Sequence, residues 1–292
     1  MTAVDLSDPV LATALTNGSA SAVTPGGGTR LARVRERAAT RERTRTERRA
    51  ARASRHRRTT EELRHVVERG QAQLHASDGK PEATAQEVIA WAVREFGPFL
   101  AVASSMQDTV LAHLVSRQLP FVEVLFGDTG YHFAETLGTR GAVEIEMDVD
   151  VVDVRPELTV AEQDAAHGPR LHERDPEACC AMRKVAPMTK ALQGYEAWAT
   201  GVRRGETAAR ANAPLVSFDE RNGVVKINPL AAWTDEQVEE YAARHGVVVN
   251  PLLSDGYPSV GCAPCTQRVA PGEDARAGRW AGRDKTECGL HG

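Results

Sequence analysis

Cysteine carries the first chemical signal in this chain. The thiols fall into an adjacent pair, Cys179-Cys180, a C-x-x-C, Cys262-Ala-Pro-Cys265, and a single residue near the C-terminus, Cys288 in Glu-Cys-Gly-Leu-His. Four thiolates close one metal site, so the fifth is left over, and a spare thiol on a short tail is a candidate nucleophile. Zinc and iron–sulfur clusters both accept four cysteines. Zinc sites usually use two C-x-x-C knuckles, whereas neighbouring helix side chains point about 100° apart and reach one small ion with difficulty. A cubane spreads its ligands over four iron corners. The spacing therefore favours a [4Fe–4S] cluster on Cys179, Cys180, Cys262 and Cys265. A redox-active C-x-x-C belongs at a helix start after a strand, while Cys262 and Cys265 stand in a Gly/Pro-rich loop.

Around the thiols the sequence places groups suited to an anion. Asp175 as N-cap and Pro176 as first helical residue start a helix, with Cys179 and Cys180 in or just after its first turn, where the helix dipole favours thiolate. Arg183 and Lys184 each follow one of these cysteines by four residues and share its face. Arg203, Arg204 and Arg210 follow a strand, and Arg276 and Arg279 stand in a Gly-containing loop. Arginine stays charged and grips oxyanions bidentately, so several in loops of an acidic body point to an anionic ligand. Ser104-Ser105-Met106-Gln107-Asp108 occupies a strand-to-helix turn, where ligands of open α/β sheets collect; a helix N-terminus there presents free N–H groups, and Ser104, Ser105 and Gln107 add side-chain donors. The chain lacks G-x-G-x-x-G and a Walker lysine, which disfavours a Rossmann dinucleotide site and a P-loop ATPase. Asp128-Thr129-Gly130 ends the next strand, where Asp and Thr can bond a ribose or base edge, although the same residues also make a plain turn.

These groups need a scaffold, and the periodicity supplies one. Helices are predicted over 60–74, 84–96, 107–117, from Tyr131 onward, and over 234–245, the last opened by a Thr-Asp-Glu-Gln capping box. Strands are predicted over 98–104, 121–126, near 143–147 and 151–154, and later over 198–202 and 224–227. Strand and helix alternating with short turns mean an α/β fold, a parallel sheet flanked by helices. Beyond Asn250 the chain is rich in Pro and Gly with little periodicity, an irregular C-terminal tail. The reading divides the chain into a basic leader (1–58), an α/β body (59–250) and a cysteine-bearing C-terminal segment (251–292).

Bulk composition narrows the classes. The 292 residues are 41% hydrophobic and 26% charged with a net charge of −4. Residues 30–58 hold thirteen Arg against three Glu, a local +10, so the remainder carries −14. The leader's charge and scarce apolar residues predict disorder and little effect of its deletion. The acidic body has no nucleic-acid footprint. No run approaches the ~20 apolar residues of a membrane span, and no secretory signal is recognisable. The cysteine spacing argues against a disulfide framework and for a reducing, cytoplasmic compartment.

Taken jointly, Cys-Cys…Cys-x-x-Cys, Lys285-Thr-Glu-Cys288-Gly-Leu-His291, Asp128-Thr-Gly-Tyr-His-Phe, the Thr200-Gly-Val-Arg-Arg loop and Gly278-Arg-Trp resemble the assimilatory sulfonucleotide reductases, specifically the iron–sulfur adenylyl-sulfate (APS) reductases. The resemblance covers about 100–292. It implies an adenine-nucleotide α-hydrolase-like fold and thioredoxin-dependent reduction of APS to sulfite and AMP in sulfate assimilation. Cys288 would attack the sulfate sulfur and become S-sulfonated, with His291 tuning or positioning it. Lys184, Arg276 and Arg279 would hold the phosphosulfate. Ser104, Ser105, Gln107, Asp128, Thr129 and Gly130 would shape the nucleotide pocket, with Arg203, Arg204 and Arg210 on its rim. The partners implied are thioredoxin and APS, with homo-oligomerisation left open. Gly127, where the family usually has Leu, and Gly141, where Asp is common, are departures. A reductase of 3′-phosphoadenylyl sulfate (PAPS) is the runner-up, disfavoured because that branch generally lacks the cluster cysteines. An ATP pyrophosphatase-type transferase would need a Gly-rich loop absent here, and a zinc-stabilised binding module leaves Cys288 unexplained.

Overall fold

A computed structural model describes residues 30–77, 79–283, 285 and 287–290. The chain divides into two compact units, Met1–Ala38 and Ala39–Gly292. Of the first, only the opening turns of a helix are described, and the candidate site lies wholly in the second.

The elements in chain order are α1 (Arg30–Ser54), α2 (Thr60–Leu74), α3 (Ala85–Phe96), β1 (Leu100–Ser104), α4 (Val110–Ser116), β2 (Val122–Gly127), α5 (Ala134–Glu146), β3 (Val149–Val154), α6 (Val160–His167), α7 (Pro176–Cys180), α8 (Ala186–Leu192), β4 (Ala197–Ala199), β5 (Val216–Asp219), β6 (Val224–Ile227) and α9 (Asp235–His245). Capping boxes on Thr59, Thr84, Thr159 and Thr234 start α2, α3, α6 and α9; each satisfies two otherwise orphaned N–H groups.

The strands form one sheet in the order β3-β2-β1-β4-β6-β5. All neighbours run parallel except β5, which pairs antiparallel with β6 at the edge. Strands β1 and β2 read as nearly unbroken apolar runs because both faces are covered. Leu63, Val67, Ile89 and Phe96 of α2 and α3 pack with Val102, Val124 and Ile227 on one face. Met188 and Leu192 of α8 pack with Ala101, Leu125 and Trp198 on the other. From β1 the chain winds outward to β2 and β3, then returns to lay β4 on the opposite side of β1. The crevice outside the carboxyl ends of β1 and β4 is therefore a topological switch point.

Several expected elements differ. The V-E-I-E-M run at 143–147 predicts a strand by its alternation, yet it ends α5: Val143 is buried while Ile145 is 47% exposed, so the alternation does not mark a buried face. Pro98 sits in a 3-10 turn, and β1 starts at Leu100. The edge strand β5 and the helix α6 carry too little pattern to be predicted.

The largest difference is the basic segment. Residues 1–29 lie outside the described residues, but 30–54, predicted to lack structure, form a helix. From Arg41 onward its arginines meet the amino ends of four successive strands. Arg41 Nε donates to Val149 O (3.0 Å) and Arg45 binds the Asp150 carboxylate (2.5 and 3.0 Å), both in β3. Arg48 donates to Phe121 O before β2. Arg52 donates to Pro98 O before β1 (2.7 Å), pairs with Glu123 and lies 4.5 Å over the Tyr195 ring before β4. Steps of three or four residues advance a helix by about 4.5–6 Å, which matches the ~4.8 Å between strands. Arg41 and Arg45 thus serve β3, Arg48 serves β2, and Arg52 serves both β1 and β4. High charge forbids a conventional core, but five N–H donors per arginine can satisfy carbonyls that carry no sequence signature.

Arg45→Ala is expected to lower the unfolding free energy by about 2 kcal/mol, since Asp150 stays buried without its cation while Arg45 itself is a third exposed. Asp150→Asn in that background should recover part of the loss. Urea titration of the four proteins tests this, and strictly additive effects would show that the pair contributes nothing. Deletion of 1–58 is expected to destabilise the fold for the same reason.

Candidate active site

At the switch point lies a cavity of about 210 Å³, walled by the turn after β1 (Ser104, Ser105, Gln107, Asp108), the loop after β4 (Thr200, Gly201, Arg203), and the segments 259–261 and 276–280. The turn after β1 is built to stay open. Met106 is buried at φ 59°, a left-handed conformation uncommon outside glycine, and Ser104 Oγ accepts from its N–H at 3.1 Å. Asn250 holds the turn from behind through Met106 O (3.1 Å), and Gln107 Oε1 accepts from Val260 N (2.9 Å). Helix α4 begins only at Val110, so Ser105 and Gln107 belong to the turn and not to a helix N-terminus.

A second, smaller cavity adjoins the first. Cys179, Cys180, Cys262 and Cys265 line it together with Thr129, Tyr131, His172, Arg183 and Pro264. Asp175 Oδ1 caps α7 at Ala178 N (2.9 Å), and α7 runs through a π-helical turn, Ala181–Val185, into α8. Arg183 in that turn donates to Thr129 O (2.5 Å) and Gln163 Oε1 (3.0 Å), fixing the cysteine-bearing helix to the turn after β2. The facing thiols come from a 3-10 turn in which Cys265 N donates to Cys262 O at 2.9 Å. Ala263 N binds Tyr131 O at 2.7 Å, and Thr129 Oγ1 lies 3.3 Å from Cys262 Sγ. Burial first, and then the other thiols of the set, push the Cys179 thiol up to about 12. Burial likewise pushes Cys180 up to about 11 against the pull of Lys184. Among the described residues no three His, Cys, Asp or Glu groups are drawn together tightly enough to grip a single ion. The donor set is four sulfurs lining one cavity, and burial disfavours Cys179, Cys180 and Cys265 as bare anions; a set of this chemistry fits a soft, multiply charged metal.

Cys288 lies in the larger cavity, apart from the other four thiols. Lys184 and Trp280 belong to both cavities. Burial drives the Lys184 ammonium toward neutrality, but the sulfurs of Cys262, Cys288 and Cys180 outweigh it and raise its pKa. Arg279 lies 4.6 Å over the Trp280 ring and donates to Ser259 Oγ (3.2 Å) and Val260 O (3.3 Å). Gly261 permits this approach, because a Cβ there would stand 2.4 Å from Arg279 Nη2. Among the described residues, neither Lys184 nor Arg279 is paired with a carboxylate.

The other predicted residues separate. Ser104, Ser105, Gln107, Lys184, Arg203, Arg210, Arg276, Arg279 and Cys288 line the larger cavity. Thr129 lines the cysteine cavity instead. Asp128 takes Gly130 N (3.2 Å) and pairs with Arg155 (3.1 Å), making the turn rather than a pocket wall. Arg204 faces away, held bidentately by Glu82 (2.6 and 2.7 Å). Arg203 binds Asp235 (2.6 Å), and Arg210 binds both Glu206 (2.6 Å) and Glu287 (2.6 and 2.9 Å). His291 lies outside the described residues. Sequence reasoning gave no role to His132, Glu206 or Glu287, all of which line the larger cavity. Only Glu287 had a signal, its place beside Cys288.

Residues 97–268 match the phosphoadenosine phosphosulfate reductase domain. The chain belongs to the APS/PAPS reductase family. It is 60% identical over 235 residues to an adenosine 5′-phosphosulfate reductase of Streptomyces coelicolor, covering 80% of this chain and 97% of that one. It is 56% identical over 233 residues to that of Mycolicibacterium smegmatis, covering 80% and 96%. A crystal structure of phosphoadenylyl-sulfate reductase from Candida auris superposes with a TM-score of 0.57 at 27% identity, covering 73% of this chain and 99% of that one. The family's adenine-nucleotide α-hydrolase-like fold agrees with the mostly parallel six-stranded sheet. Among the described residues no helix is long and apolar enough to cross a membrane.

Gly261→Ala is expected to displace Arg279 and weaken binding of inorganic sulfate about tenfold, the scale of one charge-assisted hydrogen bond. Calorimetric titration checks this, with circular dichroism confirming an intact fold.

Proposed function

We propose that the chain reduces adenylyl sulfate to sulfite and AMP in sulfate assimilation, with thioredoxin as electron donor. The observation that carries the reading is the placement of Cys288 in the switch-point cavity beside Lys184 and Arg279, while the other four thiols share the adjoining one. The names of the similar bacterial proteins support it.

In the first step the Cys288 thiolate attacks the sulfate sulfur of APS. The bond from that sulfur to the bridging phosphate oxygen breaks, AMP leaves with the oxygen and its electron pair, and an S-sulfonated Cys288 remains. Lys184 and Arg279 neutralise the phosphosulfate charge that would repel a thiolate, and their charge-assisted bonds strengthen as AMP takes on negative charge. The Ser104–Gln107 turn and Gly201 flank the nucleotide. In the second step a thioredoxin thiolate attacks the Cys288 sulfur and sulfite departs. The second thioredoxin thiol then breaks the mixed disulfide, so two thiols become one disulfide as sulfur is reduced. Outside help is required because the other cysteines are committed elsewhere.

Cys179, Cys180, Cys262 and Cys265 would hold a [4Fe–4S] cluster, which when bound supplies cross-linking of α7 to the 262–265 turn and a fixed charge beside Lys184. Thiol exchange moves electrons in pairs, so no redox step is assigned to it. In this family the presence of all four ligands also favours APS over PAPS.

Cys288→Ser is expected to abolish sulfite release while leaving AMP affinity and iron content intact. Mass spectrometry of wild type quenched with APS should find one added SO₃ group on the peptide bearing Cys288, and the same mass on any other cysteine would overturn the assignment. With thioredoxin supplied, turnover of APS should exceed that of PAPS.

A further inference from the structure

We propose that Glu287 is the latch of the C-terminal tail: its carboxylate, gripped by Arg210 and Arg276, positions Cys288 in the cavity. The inference deepens the reductase reading and rests on it for the reaction that Cys288 performs.

The grip is specific in geometry. Glu287 Oε1 accepts from Arg210 Nε at 2.9 Å and Oε2 from Arg210 Nη2 at 2.6 Å, the parallel pair of bonds that a guanidinium makes best. Thr207 Oγ1 donates to Oε1 at 3.2 Å, and Arg276 Nη2 stands 3.5 Å from Oε2. The pair is largely shielded from water, with side-chain exposures of 12% for Arg210 and 23% for Glu287. One carboxylate thus joins three separate stretches of chain: the loop after β4, the loop after the second cysteine pair, and the tail.

Position follows from covalency. Consecutive Cα atoms are about 3.8 Å apart, so holding Glu287 confines Cys288 to the same part of the cavity. Farther out, Arg221 donates to Gly289 O, and Leu290 packs against the core patch around Trp198. Leu290 also lines the cavity, as an apolar contact two residues beyond Cys288; the Glu287 grip is ionic and lies one residue before it. The arrangement also reassigns Arg210. It already binds two carboxylates, those of Glu206 and Glu287, so its charge is balanced before any ligand arrives. Its work is to hold the tail, and the substrate is left to Lys184 and Arg279.

Two measurements on the cluster-loaded protein test this. The first follows tryptic cleavage after Arg283 and Lys285, which releases the peptide bearing Cys288 and needs no substrate. Glu287→Gln and Arg210→Gln should each be cleaved about tenfold faster than wild type, the double variant no faster than either, and Glu287→Asp at an intermediate rate. The second is the single-turnover rate of Cys288 sulfonation by APS. Glu287→Gln should lower it at least tenfold while the Kd for AMP stays within twofold. Unchanged cleavage overturns the latch. Faster cleavage with unchanged sulfonation overturns the positioning role. Tighter AMP binding in Glu287→Gln would show instead that the carboxylate competes with substrate for the arginines. A wild type that is never sulfonated by APS overturns the reductase reading, and the cleavage arm still decides the latch.

Discussion

One lysine has to keep its charge while half-buried among sulfurs, where it lines both cavities of the site. Water does not compensate Lys184 fully, so its ammonium survives through the sulfurs of Cys262, Cys288 and Cys180. Cys179 and Cys180 have the converse problem, since burial and neighbouring sulfurs disfavour them as anions. Cation and sulfurs are individually unfavourable and jointly tolerable. Lys184 stands where the two cavities share a wall, on the π turn that lies between the cysteine pair and α8. A displaced Lys184 would affect both cavities at once.

The division of labour across the sheet is equally physical. Carboxyl ends of β1 and β4 open the crevice, because connections leave them in opposite directions. Amino ends are closed by arginines of α1, which bind the carbonyls and carboxylates exposed there. Positive charge therefore serves opposite purposes at the two ends. On one it satisfies the protein's own backbone. On the other it is held partly in reserve by Lys184 and Arg279, with Arg210 and Arg276 engaged by Glu287.

Much of this was legible in the residues alone. Cysteine spacing separates four thiols from one, and the structure puts these in two adjoining cavities; the alternation of apolar runs specifies a parallel sheet. The failures share a cause, which is that a charged residue does not announce its partner. Arg203 and Arg210 line the larger cavity, yet each is engaged by a carboxylate distant in sequence, and Arg204 is turned away from it by Glu82. The Arg30–Ser54 helix is invisible because its acceptors are largely main-chain carbonyls, present at every residue. The 143–147 run misleads because alternation was mistaken for a buried face, when Ile145 points to solvent.

The arginine helix has a consequence for the order of events during synthesis. Arg41 to Arg52 leave the ribosome before any strand they serve, and their partners at β4 emerge some 140 residues later. Pro98 and Phe121 follow 46 and 73 residues behind the arginines they accept from, and Val149 follows 108 behind. The first part of this body to be translated thus completes its contacts only after the last strand it serves has been made.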